Sequence, residues 1–201
     1  MDTHRVPGRF HDPFIWLYTL AADDIEVVCP SCGGRAMVIA QRAEGTSAMF
    51  GPRRFLCAAC VSAASWSPKG QTPHWGAPVD PFFRLPLWLQ TQCCGGRTLW
   101  AFNETHLALL EDYVAARLRE RGQARNRMTL VARLPRWLKS AKNRDEVLRA
   151  ITRLREAVVR AVPGRFGARR HGHTSDRHHL EVQGWAAVVS PVPQLPADRG
   201  P

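Results

Sequence analysis

The sequence is built around two short cysteine turns, Cys29-Pro30-Ser31-Cys32-Gly33-Gly34 and Cys57-Ala58-Ala59-Cys60, with 24 residues between Cys32 and Cys57. A Cys-x-x-Cys turn presents two sulfur atoms together, and two such turns supply the four thiolates that zinc prefers in a tetrahedral site. Gly33 permits the positive φ that the chain needs after the second cysteine of a turn. The spacing therefore predicts one structural Zn²⁺ ion with four ligands: Cys29, Cys32, Cys57 and Cys60.

Strand-like residues precede each turn, Val27-Val28 before the first and Phe55-Leu56 before the second, an arrangement typical of a zinc ribbon. About forty residues bury too little apolar surface to fold alone, so we expect metal binding to supply much of the folding free energy. A redox dithiol is expected in a thioredoxin-like βαβ context, which this pattern lacks. An iron centre with four thiolates stays open as an alternative. Four thiolates leave no coordination position for water, so we expect the metal to have no catalytic role.

Positive charge is concentrated in the second half of the chain. Of 201 residues, 28 are Lys or Arg and 17 are Asp or Glu, which gives a formal net charge of +11. Residues 1–68 are neutral overall, whereas residues 103–162 carry fourteen basic and seven acidic side chains. Such an excess favours a polyanionic partner, and nucleic acid is the first expectation.

Apolar runs are too short to cross a membrane, for which roughly 18 to 20 residues are needed, so we expect no membrane partner. Residues 14–22 have the length of a signal-peptide core, but acidic residues cancel the charge before them and Pro13 adjoins them. Two Cys-x-x-Cys pairs without a secretory signal indicate a reducing compartment. We therefore predict a cytoplasmic protein.

Chain breakers and charge divide the sequence into four predicted parts. These are an N-terminal extension (1–22), a zinc ribbon (23–68), a hairpin with a basic helical region (69–162) and a flexible C-terminal tail (163–201). The predicted fold class is α+β, in which a small antiparallel sheet with the four-cysteine site precedes a β-hairpin and two to three basic amphipathic helices. The hairpin is expected within residues 85–101, with Gly95-Gly96 near its turn.

Helical spacing of apolar residues predicts the elements that follow the hairpin. Asn103 caps the first helix, which Gly122 ends, and Pro135 begins a short second helix. The apolar face of the first helix consists of Leu107, Leu110, Val114 and Leu118. Asn143 and Glu146 form a capping-box pattern at the start of the last helix. The apolar face of that helix consists of Val147, Ile151, Leu154 and Val158.

Basic residues on and just before the last helix are the predicted nucleic-acid surface. They lie away from its apolar face, where their guanidinium and ammonium groups could contact phosphates. A solvated charged face is the alternative interpretation. The predicted contacts are Lys139, Lys142, Arg144, Arg149, Arg153 and Arg160.

The cysteine turns and three later motifs resemble a group of small bacterial proteins that contain a zinc ribbon of the transcription factor IIB (TFIIB) type. The later motifs are Leu85-Pro86-Leu87-Trp88-Leu89, Cys93-Cys94-Gly95 with Leu99-Trp100-Ala101-Phe102-Asn103, and Trp137-Leu138-Lys139-Ser140-Ala141-Lys142-Asn143-Arg144. The resemblance spans roughly residues 25–160. It implies zinc binding by the same four cysteines and no particular activity. In one departure, no glycine follows Cys60, where such ribbons often have one.

Three further sets of residues have two interpretations each. Cys93 and Cys94 could form a second metal site with His106, or could be structural thiols. Trp88, Trp100 and Trp137 could stack on bases, or could fill the core. Histidines of the tail could bind metal weakly, or could belong to a polar disordered segment: His171, His173, His178 and His179.

The sequence predicts a non-enzymatic zinc-binding protein that binds nucleic acid through its basic helical half. It contains no glycine-rich phosphate loop, nucleophile elbow or His-Glu-x-x-His motif, so we predict neither catalysis nor a small-molecule substrate. The alternative is an interaction adaptor or accessory subunit, in which the ribbon docks a protein partner and the arginine face is only solvated.

Overall fold

The computed structural model describes five parts of the chain: residues 8–41, 51–69, 72–120, 122 and 127–161. All of them lie in the first of two compact units, Met1–Gly164. The predicted C-terminal tail, with its four histidines, lies outside the described residues. The backbone of Arg160 belongs to a described helix, but its side chain is not among the described parts of the structure.

The described residues form an α+β fold with eight strands and five α-helices. The β-elements are β1 (Arg9–His11), β2 (Ile25–Val28), β3 (Arg35–Ala40), β4 (Arg53–Leu56), β5 (Ala63–Trp66), β6 (Gln90–Cys93), β7 (Arg97–Trp100) and β8 (Leu118–Glu120). The helices are α1 (Leu17–Leu20), α2 (Glu104–Ala115), α3 (Leu130–Arg133), α4 (Arg136–Lys139) and α5 (Arg144–Ala161), with a 3₁₀ turn at Ala141–Asn143. Within this part of the chain, no helix has the length and apolarity to span a membrane.

Strands β2 to β5 form one antiparallel sheet in chain order. The first cysteine turn joins β2 to β3, where Val28 pairs with Arg35, and the second joins β4 to β5, where Leu56 pairs with Ala63. Because β3 and β4 are also antiparallel, the beginning of β3 lies beside the end of β4. The two cysteine turns therefore lie at the same end of the sheet.

Hydrogen bonds along β2 join this sheet to the segment before the hairpin. The amide of Val28 donates to Pro86 O at 2.8 Å, and the amide of Trp88 donates to Glu26 O at 2.9 Å. The backbone amide of Glu26 donates to Phe102 O at 2.8 Å. Strand β2 is therefore hydrogen-bonded on both edges. Its second edge pairs with the residues just before and just after the hairpin formed by β6 and β7.

An arginine lies inside the apolar core of the sheet. Arg53 is fully buried, and its guanidinium carbon lies 4.3 Å from the centre of the Phe82 ring. Asp80 is also fully buried, and its carboxylate accepts the amide hydrogens of Phe82, Phe83 and Leu85. Burial lowers the pKa of Arg53, although the negative charges of Asp24 and Asp80 oppose that shift. The segment that contains Asp80 and Phe82 thus packs on the sheet through the buried Arg53 side chain, and the Asp80 carboxylate stabilises the turn in that segment.

The hairpin and the helices share a second apolar core. Strands β6 and β7 pair within the predicted range, and Cys94, Gly95 and Gly96 connect them. Helix α2 buries Leu107, Leu110 and Val114, but it ends at Ala115, well before the predicted end at Gly122. It also contains no Lys or Arg, so the expectation that the helices are basic is wrong for α2.

Leu118, predicted on the helical apolar face, lies instead in β8 and is 46 % exposed. Strand β8 pairs in parallel with β1, with Leu118 opposite Arg9. The carbonyl oxygen of Val114 at the end of α2 accepts hydrogen bonds from Arg119 at 3.2 Å and Arg144 at 3.1 Å. These side-chain donors satisfy a carbonyl that has no helical partner, which stabilises the early end of the helix.

Helix α5 buries Val147, Ile151 and Leu154 against the same core. The predicted capping box at its start does not form. The backbone amide of Asn143 donates to Ser140 O at 3.2 Å, not to Glu146, and its side-chain amide donates to Trp137 O at 2.8 Å. The Glu146 carboxylate accepts the amide hydrogen of Cys94 in the hairpin turn. Long-range contacts have replaced the local cap.

Candidate metal centre and basic helix face

The four cysteine sulfurs of the two turns converge at the end of the sheet. All four Sγ atoms lie within 4.8 Å of one another. The Sγ atoms of Cys29 and Cys60 are 3.6 Å apart, as are those of Cys32 and Cys57. A tetrahedral ion with a metal–sulfur bond of about 2.3 Å requires sulfurs about 3.8 Å apart. The donor set and its spacing therefore fit one tetrahedral metal ion.

The two turns have the same backbone hydrogen bonds. In the first, the amide of Gly33 donates to Cys29 O at 2.9 Å, and the amide of Cys29 donates to Gly34 O at 2.8 Å. In the second, the amide of Val61 donates to Cys57 O and the amide of Cys57 donates to Ser62 O, both at 2.9 Å. Each turn thus fixes its two sulfurs on the same rigid backbone frame.

One cysteine of each turn is buried and the other is exposed. Cys29 and Cys57 are buried at the sheet end, whereas Cys32 and Cys60 face solvent. The Ser62 hydroxyl lies 3.1 Å from Cys60 Sγ, and this contact lowers the pKa of the Cys60 thiol to about 6. Ser62 Oγ also lies 3.1 Å from Ser31 Oγ, within hydrogen-bond distance, and this contact links the two turns. Ser62 was not predicted from the sequence, because a serine two residues after a cysteine is not by itself distinctive.

Mutual proximity of the sulfurs changes the ionisation of Cys32. A hydrogen bond from the Gly34 backbone lowers its pKa, but the neighbouring sulfurs of Cys60 and Cys57 outweigh that effect and raise the pKa to about 12. Four sulfurs so close together cannot all ionise without a cation between them. A divalent ion would supply that charge, since cysteines bind metal as thiolates.

Within the described ranges, no other group of three or more metal-ligating side chains converges. Cys93, Cys94 and His106 are therefore not brought together as a second metal site. Cys93 is buried, and burial raises its pKa to about 12. His106 Nδ1 accepts the amide hydrogen of Phe102 at 3.2 Å, and this hydrogen bond is buried near the start of α2. The structure places Cys93 and His106 as core residues.

The predicted nucleic-acid residues fall into two groups. Lys139 and Arg144 are half-buried and bind backbone carbonyls: Lys139 Nζ donates to Ala132 O at 2.7 Å, and Arg144 donates to Val114 O and Ala116 O, both at 3.1 Å. These two side chains hold helix ends together. The exposed members of the set are Lys142, Arg149 and Arg153. The side chain of Arg160 lies outside the described residues.

No protein-family model, curated protein or solved structure matches this chain. The class of protein is therefore defined by its own fold and site. It is an α+β protein with a cluster of four cysteines that is suited to a single metal ion.

Proposed function

We propose that this is a zinc-binding protein with a ribbon of the transcription factor IIB type, in which the ion is structural. The observation that carries the proposal is the convergence of Cys29, Cys32, Cys57 and Cys60 within 4.8 Å. Zinc would tie the β2–β3 hairpin to the β4–β5 hairpin, and four protein thiolates leave no position for a reacting water. The chain's own residues hold and orient the sulfurs through the paired backbone turns.

We further propose that the exposed basic face binds nucleic acid. Lys142, Arg149 and Arg153 are exposed, and none of the three forms an ion pair with a described carboxylate. Arg149 and Arg153 are four residues apart in α5, so they lie on one side of the helix. Arg155, by contrast, binds Glu104 and Glu111 of α2 at 2.8 and 2.6 Å and is not available to phosphate.

The test is a titration of metal-loaded protein with labelled single- and double-stranded DNA and RNA. Binding through phosphates should weaken steeply between about 50 and about 200 mM salt. The double variant Arg149→Glu/Arg153→Glu should lose most of the affinity. The matched control, Arg54→Glu/Arg117→Glu, changes the net charge equally at two exposed arginines outside α5 and should retain most of it. Absence of binding at the lower salt by folded, metal-loaded protein would overturn the proposal.

A protein-binding adaptor is the second candidate, and the exposed tip of the metal centre favours it. Ala58 and Ala59 are exposed, and Val61 is 85 % exposed beside them. A small apolar tip on a rigid turn is a suitable contact for a protein partner. Val61→Glu separates the candidates: it should leave nucleic-acid affinity unchanged if the basic face is the functional surface, and should abolish association with a protein partner if the tip is.

A further inference from the structure

Three tryptophans from separate segments line a cavity of about 510 Å³ that also contacts Leu17 of α1. Trp75 comes from the segment after the sheet, Trp100 from β7 and Trp137 from α4, and each is only half-buried. Small-ligand pockets commonly have volumes of about 300 to 1,000 Å³ and apolar, aromatic walls. Of the predicted stacking residues, Trp100 and Trp137 line this cavity, and Trp88 does not.

A buried histidine supplies a polar group to this cavity. His106 lines it and is only 2 % exposed, with its ring 5.6 Å from that of Trp100. Because Nδ1 accepts the Phe102 amide hydrogen, the proton of the neutral imidazole lies on Nε2. Burial lowers the pKa of His106 to about 3, so the ring stays neutral at ordinary pH. No described group accepts a hydrogen bond from Nε2, and this atom is not among the fully buried polar atoms that lack a partner, so its hydrogen is accessible to a ligand in the cavity.

A cation completes the lining. Arg133, at the end of α3, is exposed and lines the same cavity. Its guanidinium forms no ion pair with a described carboxylate, so it is available to an anionic group of a ligand. The rest of the wall is largely aliphatic, with Leu130 and Leu134 beside Arg133. The cavity thus offers flat aromatic faces, one hydrogen-bond donor on a largely buried histidine and one exposed cation.

We propose that this cavity binds a nucleotide, with the base among the tryptophans, an acceptor atom of the base on His106 Nε2–H and the phosphate on Arg133. Every nucleobase has flat faces and ring or carbonyl acceptors, and stacking on an aromatic side chain contributes about 1–3 kcal/mol per base. The nucleotide can be a free mononucleotide or one residue of a single strand. This inference goes beyond the proposed function, because none of the site's residues belongs to the basic face of α5.

Calorimetric titration of metal-loaded full-length protein tests the ligand class. The probes are the four nucleoside 5′-monophosphates, a short single-stranded oligonucleotide, ribose 5-phosphate and decanoate. Saturable binding of at least one monophosphate, with no binding of ribose 5-phosphate or decanoate, supports a free nucleotide. Binding of the oligonucleotide alone supports a single-strand source. Binding of decanoate alone identifies an aliphatic-acid pocket and overturns the proposal, as does binding of none of the probes.

Substitutions then locate the binding site. Trp100→Leu and Trp137→Leu keep apolar walls but remove aromatic faces, and each should weaken binding roughly 5- to 150-fold. Trp16→Leu is the matched control, because Trp16 stacks on Tyr18 outside the cavity. If Trp100→Leu or Trp137→Leu fails to fold, Trp75→Leu, in the segment between β5 and β6, replaces that variant. Equal affinity of the folded cavity variants and the control would overturn the assignment.

Two further variants separate this site from the basic face. Arg133→Ala should weaken binding of the monophosphate but not of the corresponding nucleoside, whereas Arg54→Ala should change neither. Arg149→Glu/Arg153→Glu should leave mononucleotide affinity unchanged. If the cavity proposal is wrong, the protein should not bind mononucleotides but should still bind long nucleic acid through α5. If the basic-face proposal is wrong, the protein should bind mononucleotides but show no α5-dependent binding of long nucleic acid.

Discussion

Val61 has the same left-handed backbone conformation as Gly33, with φ values of 61° and 71°. Each residue directly follows the second cysteine of its turn and donates its amide hydrogen to the carbonyl of the first cysteine at 2.9 Å. The second turn therefore keeps the backbone of the first although a β-branched residue replaces glycine. A left-handed conformation costs an L-residue other than glycine about 1–2 kcal/mol, and β-branched residues adopt it least readily.

Val61→Gly should therefore stabilise the metal-loaded protein. The side chain is 85 % exposed, so its removal sacrifices little buried surface, and relief of the backbone strain should exceed the added entropy of the unfolded chain. We expect a gain of up to about 1 kcal/mol in the free energy of unfolding by urea. Val159→Gly, at an exposed valine in α5, is the control and should bring no gain. A loss of stability in Val61→Gly would contradict this account of the turn.

Truncation of Arg144 is expected to destabilise the protein and truncation of Arg149 is not, although both residues were predicted to contact phosphate. Arg144→Ala removes hydrogen bonds to Val114 O and Ala116 O and should lower the free energy of unfolding by about 2 kcal/mol. Arg149→Ala removes an exposed side chain and should change it by less than about 0.5 kcal/mol. Urea unfolding of both variants measures the difference. Equal stabilities would mean that the Arg144 contacts contribute nothing.

Local spacing predicted the parts of the fold that depend on neighbouring residues. The two cysteine turns, the hairpin around Gly95-Gly96 and the buried positions Val147 and Ile151 all follow from patterns within a few turns of chain. The α+β class followed from the order of those patterns. These features are local because each one is fixed by turn geometry or by one face of a helix.

Long-range contacts determined the rest. Glu146 has the spacing of a capping box, but its carboxylate accepts the amide hydrogen of Cys94, 52 residues away. Leu118 has helical spacing, yet parallel pairing with β1 places it in a strand. The tryptophan cavity joins segments near residues 75, 100 and 137. No local pattern contains these pairings, since each depends on how distant elements pack.

Zinc content should follow the cysteine turns alone. The native protein should hold about one zinc ion per chain, and Cys57→Ser should reduce that content and expose β3 and β4 to amide hydrogen exchange. Cys94→Ser is the control, because Cys94 lies outside the quartet and is half-buried in the hairpin turn; it should retain the ion. Elemental analysis and exchange mass spectrometry provide the two measurements. Native protein without a transition metal, or a sheet unaffected by chelation, would contradict the structural role of zinc.

His106 should make the protein less stable in mild acid. Burial lowers its pKa to about 3, whereas an unfolded histidine has a pKa of about 6.5, so the unfolded chain takes up the proton first as the pH falls. The stabilising contribution of the neutral ring is complete above about pH 6.5 and is progressively lost towards pH 3, with about 2 kcal/mol lost at pH 5. Urea unfolding at pH 7 and pH 5 should show this loss in the native protein and a smaller one in His106→Gln. Effects of acid on the metal centre are common to both proteins and cancel in the comparison. The imidazole nitrogen shifts of folded His106 should stay constant from pH 8 to pH 5, and a titration centred near the unfolded value would show instead that water reaches the ring.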